Sequence, residues 1–230
     1  IIILYIVLQY CDNPIIKDMI SMNTINFNDF FSKNKDKISQ ILPVSSAYYP
    51  AGDNLYYEDV SEKIMILTKG AARLLTVDPN GRSGIVEFFD ENSVILSSLM
   101  RYSGNITYIL SFTEPSTLMS FSPDDFVNIK SHTDIFGEFL SAVMAGISDS
   151  AVKLNIRTAI TACRTTRSKL AEYFNYMRLS TNSVRFKIPI SMSELADYIG
   201  ADRAAMLREI KKMQDEGLLI SKNRHITLLV

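Results

Sequence analysis

Arg203, Arg208, Lys211 and Lys212 crowd into the C-terminal stretch ADRAAMLREIKKMQDEGLL, residues 201–219. At helical spacing Arg203, Ala204, Leu207, Arg208 and Lys211 share one side, while Met206, Ile210 and Met213 share the other. A cationic row on a helix anchored by an apolar stripe is chemistry for holding a polyanion. Each cation neutralises charge, and an arginine can also make paired hydrogen bonds to a guanine edge. The charge distribution agrees. The chain carries a net charge of -1, but from Arg164 onward it holds twelve Lys/Arg against seven Asp/Glu, and the remainder holds twelve against eighteen. A basic third on an acidic body points to a polyanionic partner for that third; ordinary surface variation is the plainer alternative.

Other chemistries find little material. Cys11 and Cys163 are the only two cysteines of 230 residues, too few for a four-thiolate cluster or a disulfide framework. They fit a reducing cytoplasm, the expected location. The two histidines, His132 and His225, stand in no metal-ligand spacing, so zinc, haem or a Ser-His-Asp triad is not expected. The opening run IIILYIVLQYC is too short to span a bilayer and lacks the basic start of a secretory signal, so no membrane partner is expected. Residues 1–22 are read as an extension of little weight in the fold, an upstream translation ahead of Met22; the alternative is an apolar arm that packs on a partner subunit.

The surrounding elements follow from periodicity. FNDFFSKNKDKISQIL reads as a short helix with Phe27, Phe30, Phe31, Ile38, Ile41 and Leu42 apolar. From Ser45 to Ser122 the chain becomes short strand-like runs between turn signals: Pro50 and Gly52, Lys69-Gly70, Asp78-Pro79-Asn80-Gly81, and Glu114-Pro115. Such spacing predicts a small antiparallel barrel or roll. Ser122 and Pro123 open a short helix. A long helical pattern begins near Asp134, where Phe136, Leu140, Val143, Ile147, Ser150 and Leu154 alternate steps of four and three. That heptad seam predicts a dimer interface, with Phe139, Met144 and Ala151 left to face the strands. A helix buried within a monomer core is the alternative. Residues 162–165 form a candidate hinge, followed by a helix with Leu170, Tyr173, Phe174 and Met177 on one side.

In ISMSELADYIG, Ser191 and Glu194 have capping-box spacing, Leu195, Ala196 and Ile199 face inward, and Gly200 suits a left-handed stop. Asp202 can cap the next helix, which ends near Gly217. Two strand-like runs around Lys222-Asn223-Arg224 then complete a winged helix-turn-helix. In this reading Arg203, Ala204, Leu207 and Arg208 meet base edges, and Ser191, Ser193, Lys211, Lys212, Lys222 and Arg224 meet phosphates.

From about Met22 the chain resembles the Crp/Fnr family, that of the cyclic-AMP receptor protein and the fumarate-nitrate reduction regulator. ELADYIGADRAAMLREIKKMQDEGLL is similar to the family's DNA-reading motif, YYPAGD and DPNGR to its sensor roll, and the heptad helix to its dimer helix. The resemblance implies an α+β chain in four parts: the extension 1–22, a jelly-roll-like antiparallel β-roll of the cyclic-nucleotide-binding type over 23–133, a dimerisation helix and hinge over 134–162, and a winged helix-turn-helix over 163–230. It implies a homodimeric bacterial transcription regulator that is not an enzyme, with promoter DNA, a second copy and RNA polymerase as partners. Arg203 and Arg208 align with the family's base-reading arginines. Ala204 stands where the family often has Glu, and Leu207 where many members have Ser or Gly. The half-site expected from this keeps guanine and changes at the neighbouring base.

The sensor departs from the family pattern further. Cyclic-nucleotide binders carry Gly-Glu and then Arg-Ser-Ala; in SVILSSLMRYSGNIT, Leu96-Ser97 and Asn105-Ile106 replace them. Without that Glu and Arg the two charge-assisted contacts to ribose and cyclic phosphate are missing. Cyclic AMP is therefore not the expected effector, and no cofactor, iron–sulfur cluster included, is expected. Arg82, Ser97, Ser98, Arg101, Asn105 and Thr107 are the candidate pocket residues. The alternatives are a cyclic-nucleotide-responsive regulator and, further off, a small cupin-like barrel enzyme with a helical tail.

Overall fold

The computed structural model describes residues 30, 33–34, 36–38, 40, 42–101, 104–127 and 134–229, without the side chains of 126–127 and 134–136. The expectations for residues 1–22, Phe27, Phe31, Ile41 and His132, and for the Phe136 side chain, lie outside these. The chain divides into two compact units that part between Leu154 and Asn155.

In the N-terminal unit the turn signals separate eight strands: β1 (Ser45–Tyr49), β2 (Asn54–Tyr56), β3 (Ile64–Lys69), β4 (Ala72–Val77), β5 (Ser83–Phe89), β6 (Val94–Leu96), β7 (Thr107–Phe112) and β8 (Ser116–Phe121). They form two four-stranded sheets, β1-β8-β3-β6 and β2-β7-β4-β5, with every pair antiparallel. Strand β3 explains the layering. Its Ile64, Met65, Ile66 and Leu67 are all buried. Side chains alternate along a strand, so Met65 and Leu67 enter the core between the sheets with Leu74, Leu110 and Phe112. Ile64 and Ile66 enter a second core on the other face, with Phe30, Ile38 and Leu42 from the N-terminal helical residues. The β3–β4 turn admits only glycine. Gly70 has φ +90, and a Cβ there would lie 2.6 Å from the Pro115 carbonyl oxygen.

Helix α1 (Pro123–Val127) begins as expected, with Pro123 in its first turn, the Asp124 N–H donating to Ser122 Oγ and the Ser122 N–H to Asp125 Oδ2. Helix α2 (Asp134–Ala162) is 29 residues long. Its register corrects the heptad reading. Val143 is buried in the roll's outer core with Phe139 and Ala142, and Ile147 packs against the same cluster. Ser150 Oγ donates to the Val94 carbonyl at 3.2 Å. A Cβ on Gly146 would run into the Val94 side chain, so the helix passes β6 closely here. Val143 and Ile147 of the proposed seam are thus spent on the chain's own roll, whereas Leu140 stays exposed. The exposed stripe is Gly137, Ser141, Met144, Ser148 and Ala151, displaced by one residue, with exposed Leu140 at its edge. Met144 and Ala151, expected against the strands, belong to this stripe.

The C-terminal unit takes in the last turns of α2, where Ile160 is buried and the Arg157 guanidinium sits 5.8 Å from the Tyr198 ring centroid. It continues with α3 (Thr166–Thr181), β9 (Arg185–Lys187), α4 (Met192–Ile199), α5 (Arg203–Asp215), β10 (Leu219–Lys222) and β11 (His225–Leu228). The three strands form one antiparallel sheet in the order β10-β11-β9. The core is the set the periodicity picked out: Leu170, Tyr173, Phe174 and Met177 of α3 meet Leu195, Ala196 and Ile199 of α4 and Met206, Ile210 and Met213 of α5, all buried. Phe186, Leu219 and Ile226 close it from the sheet.

Candidate nucleic-acid interface

Helix α5 is held at both ends by local chemistry. The Asp202 carboxylate accepts the Ala205 N–H at 2.8 Å. Past the C-terminus, the Leu218 N–H reaches the Met213 carbonyl and the Gly217 N–H the Gln214 carbonyl, with Gly217 at φ +74. This paired closure needs a left-handed residue. Helix α4 is built alike. Ser191 Oγ accepts the Glu194 N–H at 3.2 Å, and Glu194 Oε2 accepts the Ser191 N–H at 2.9 Å. Gly200, left-handed at φ +60, ends it.

Residues the sequence reading did not single out fix α5 against its neighbours. From α3, Arg167 donates to Glu209 at 2.6 Å and makes two bonds of 2.8 Å to Glu216. The bonds to Glu216 and Glu209 push the guanidinium's affinity for its proton above the ordinary value, and Arg167 holds the Glu216 carboxyl below its own. Lys169 Nζ donates to the Gly200 carbonyl at 2.7 Å, closing α4. Gln214 Oε1 accepts the Ser221 N–H, tying α5 to strand β10.

Met206, Ile210 and Met213 turn inward, and a turn of about 100° per residue then leaves Arg203, Ala204, Leu207, Arg208 and Lys211 on one outer arc. All five are exposed. Two guanidinium groups thus flank a small apolar surface of Ala204 and Leu207, with Lys211 continuing the row. Lys212 is exposed beside it, as are Ser193 on α4 and Lys222 at the end of β10. Ser191 is exposed, but its side-chain oxygen serves as the cap. Arg224 is less free than expected: it is half-buried, and one Nη donates to the Pro189 carbonyl at 3.3 Å.

The expected effector residues are less coherent. Ser97 is buried, and its Oγ accepts the Lys63 N–H at 2.8 Å. It braces the roll instead of lining an open pocket. Leu96, beside it, packs against the outer core. Arg82, Ser98, Arg101, Asn105 and Thr107 are exposed. Register places Thr107 and Ser83 on either side of Val77, so Arg82 and Thr107 lie at one end of the same sheet. The residue missed here is Glu87. It is 4% exposed and shares the inward side of β5 with Ile85 and Phe89, opposite the core residue Leu74. Its alternation with those two apolar residues was the available signal. Near the hinge, Cys163 is half-buried, and burial followed by the charge of Glu172 pushes its thiol up. It is thus held in the protonated, less nucleophilic form.

Residues 166–229 match the family model of the Crp-like helix-turn-helix domain. The C-terminal unit is a Crp-like helix-turn-helix domain. Among curated proteins, none matches the chain. Solved structures show that the Crp/Fnr fold extends over both units. A cyclic nucleotide-binding domain containing protein from Listeria monocytogenes EGD-e is 17% identical, with 87% of this chain and 94% of that one covered and a TM-score of 0.63. A CooA mutant from Carboxydothermus hydrogenoformans is 14% identical, covering 80% and 83%, with a TM-score of 0.64. The c-di-GMP responsive global regulator CLP of Xanthomonas campestris is 13% identical, covering 86% and 98%, with a TM-score of 0.60. Among the described residues no helix is long and apolar enough to cross a membrane.

Proposed function

We propose that this chain is a homodimeric, sequence-reading transcription regulator that acts on a near-palindromic promoter site in the cytoplasm, in contact with RNA polymerase. The observation that carries this is the exposed arc of α5, with Arg203 and Arg208 beside Ala204 and Leu207 on a Crp-like domain. Each arginine can make a bidentate contact to guanine. Leu207 suits a thymine methyl, and Ala204 lacks the carboxylate that would accept from cytosine N4. Lys211, Lys212 and Lys222 hold the backbone. The dimer forms along the α2 stripe of Gly137, Ser141, Met144, Ser148 and Ala151, whose small residues permit close approach of two helices.

The effector is a molecule other than cyclic AMP. Ser97 and Leu96, where cyclic-nucleotide binders carry Glu and Gly, are turned to packing and to a backbone bond. With Cys11 and Cys163 as the only thiols, sensing uses no iron–sulfur cluster. Arg82 and Arg101 remain as exposed cations for an anionic ligand. The signal acts by favouring one arrangement of the DNA-binding units over another.

Base reading and backbone holding are separable by mutation. Arg203→Ala is expected to cost about 1–3 kcal/mol on the selected site and to relax one base position, while Lys211→Ala weakens all sequences alike. Binding curves on single-base variants of the site distinguish the two; a uniform loss for Arg203→Ala would remove it from base reading.

A further inference from the structure

The C-terminal unit begins inside a helix. Helix α2 runs unbroken from Asp134 to Ala162, yet its residues from Asn155 onward belong with the winged unit. Arg157 and Ile160, neighbours on one face of the helix, hold them there. Ile160 is fully buried. The Arg157 guanidinium carbon lies 5.8 Å from the centre of the Tyr198 ring, within the range of a cation–π contact. Tyr198 is itself buried and meets Tyr173 of α3 edge-on, with ring centres 6.0 Å apart. One ring of α4 thus receives both α2 and α3. It stands just before Gly200, the left-handed residue that ends α4 ahead of the reading helix α5.

The connector that follows α2 is closed from both sides. The Cys163 N–H donates to the Ile160 carbonyl at 3.2 Å. Thr165 caps α3: its Oγ1 accepts the Ser168 N–H at 3.1 Å, and its own N–H donates to Ser168 Oγ at 3.2 Å. A turn of α2 against α3 about this connector would break the cap or draw Ile160 out of the core, and both cost free energy. We propose that Arg157 is a positioning residue for DNA reading: through Tyr198 it fastens the last turns of α2 to the α4–α5 pair, so that residues 155–162 and the reading helix move as one body, and the joint that answers the signal lies within α2 ahead of Arg157 and not in the 162–165 connector. The proposal rests on α5 reading duplex DNA. Arg157 acts on α5 through Tyr198, so it needs no contact with DNA. The contact requires a cation and a ring face; Lys at 157 keeps the first, Phe at 198 keeps the second, and Gln at 157 removes the cation.

Two measurements on the full chain test this. The first is hydrogen exchange in two variants: Ile210→Ala loosens the winged core, and Gly70→Ala loosens the β3–β4 turn of the roll. Amides of residues 156–162 are expected to lose protection in the first variant and keep it in the second. Loss of protection with Gly70→Ala instead would join these turns to the roll and overturn the proposal. The second is affinity for the selected site, measured below the melting transition and scaled to the active fraction, so that a mere loss of stability leaves it unmoved. Arg157→Gln is expected to weaken binding roughly two- to fivefold, the factor a partly exposed cation–π contact carries, with the slope of log affinity against log salt unchanged. Arg157→Lys and Tyr198→Phe are expected to bind as wild type does. Wild-type affinity for Arg157→Gln, or a salt slope lowered by about 0.9, the mark of a direct phosphate contact, would overturn the proposal. Failure of the underlying DNA reading has a different mark: no sequence preference in the wild-type chain, with the exchange pattern as expected.

Discussion

The two units handle charge in opposite ways. The winged unit turns its cations outward on a capped helix and a sheet face, above a core of Leu, Met, Ile and aromatic side chains. The roll closes a carboxylate, Glu87, into its interior side and leaves Arg82 and Arg101 exposed. Under the proposed function, the contrast follows from what each kind of partner would require. A polyanion is bound in water by charge neutralisation and counterion release, so exposed cations suffice once a rigid helix fixes their spacing. A small effector is recognised where water is excluded, by few polar groups whose placement depends on packing.

Disturbing one unit should leave the other intact, and the largest effect is expected in the winged core. Ile210→Ala removes a buried side chain beneath the reading face, at a cost of about 2–5 kcal/mol. Calorimetry should show the transition of the winged unit lowered and that of the roll unmoved, with DNA binding weakened. Next comes Gly70→Ala, which forces a methyl group against the Pro115 carbonyl and costs about 1–3 kcal/mol. It should lower the roll transition alone. If both variants shift one common transition, the two units fold together and the contrast loses its thermodynamic basis.

The smallest effect concerns the exposed brace from Arg167 to Glu216. Since Arg167 depresses the folded-state Glu216 pKa, its contribution is complete above the ordinary carboxylate range and is lost as pH falls through the lowered value. The winged unit's melting temperature in wild type should therefore approach that of Glu216→Gln as the solution is acidified. A constant difference across that range would show that the brace does not act through the carboxylate's charge.

Legibility differed with the range of the interactions. The caps of α4 and α5 were readable because Ser191, Glu194, Gly200, Asp202 and Gly217 act within a few residues of their targets. Arg167 was not, since its partners Glu209 and Glu216 lie 42 and 49 positions away. Val143 and Ile147 of the α2 seam were misplaced for a different reason. A helix apolar on two sides offers two heptad stripes, and bulk was taken to mark the dimer. In the fold, Val143 and Ile147 pack on the roll, and Gly137, Ser141, Met144, Ser148 and Ala151 are left outside with Leu140 at their edge. Glu87 was legible in principle through its alternation with Ile85 and Phe89, but a carboxylate on the apolar side of a strand is not singled out by periodicity alone.

The most direct measurement is selection of bound duplexes from a random pool by the purified full-length chain without added ligand. The account predicts a near-palindrome whose half-sites retain guanine and lie about 34 Å apart, one helical turn. Recovery of only sequence-independent, steeply salt-sensitive binding, unchanged when candidate effectors are added, would contradict it.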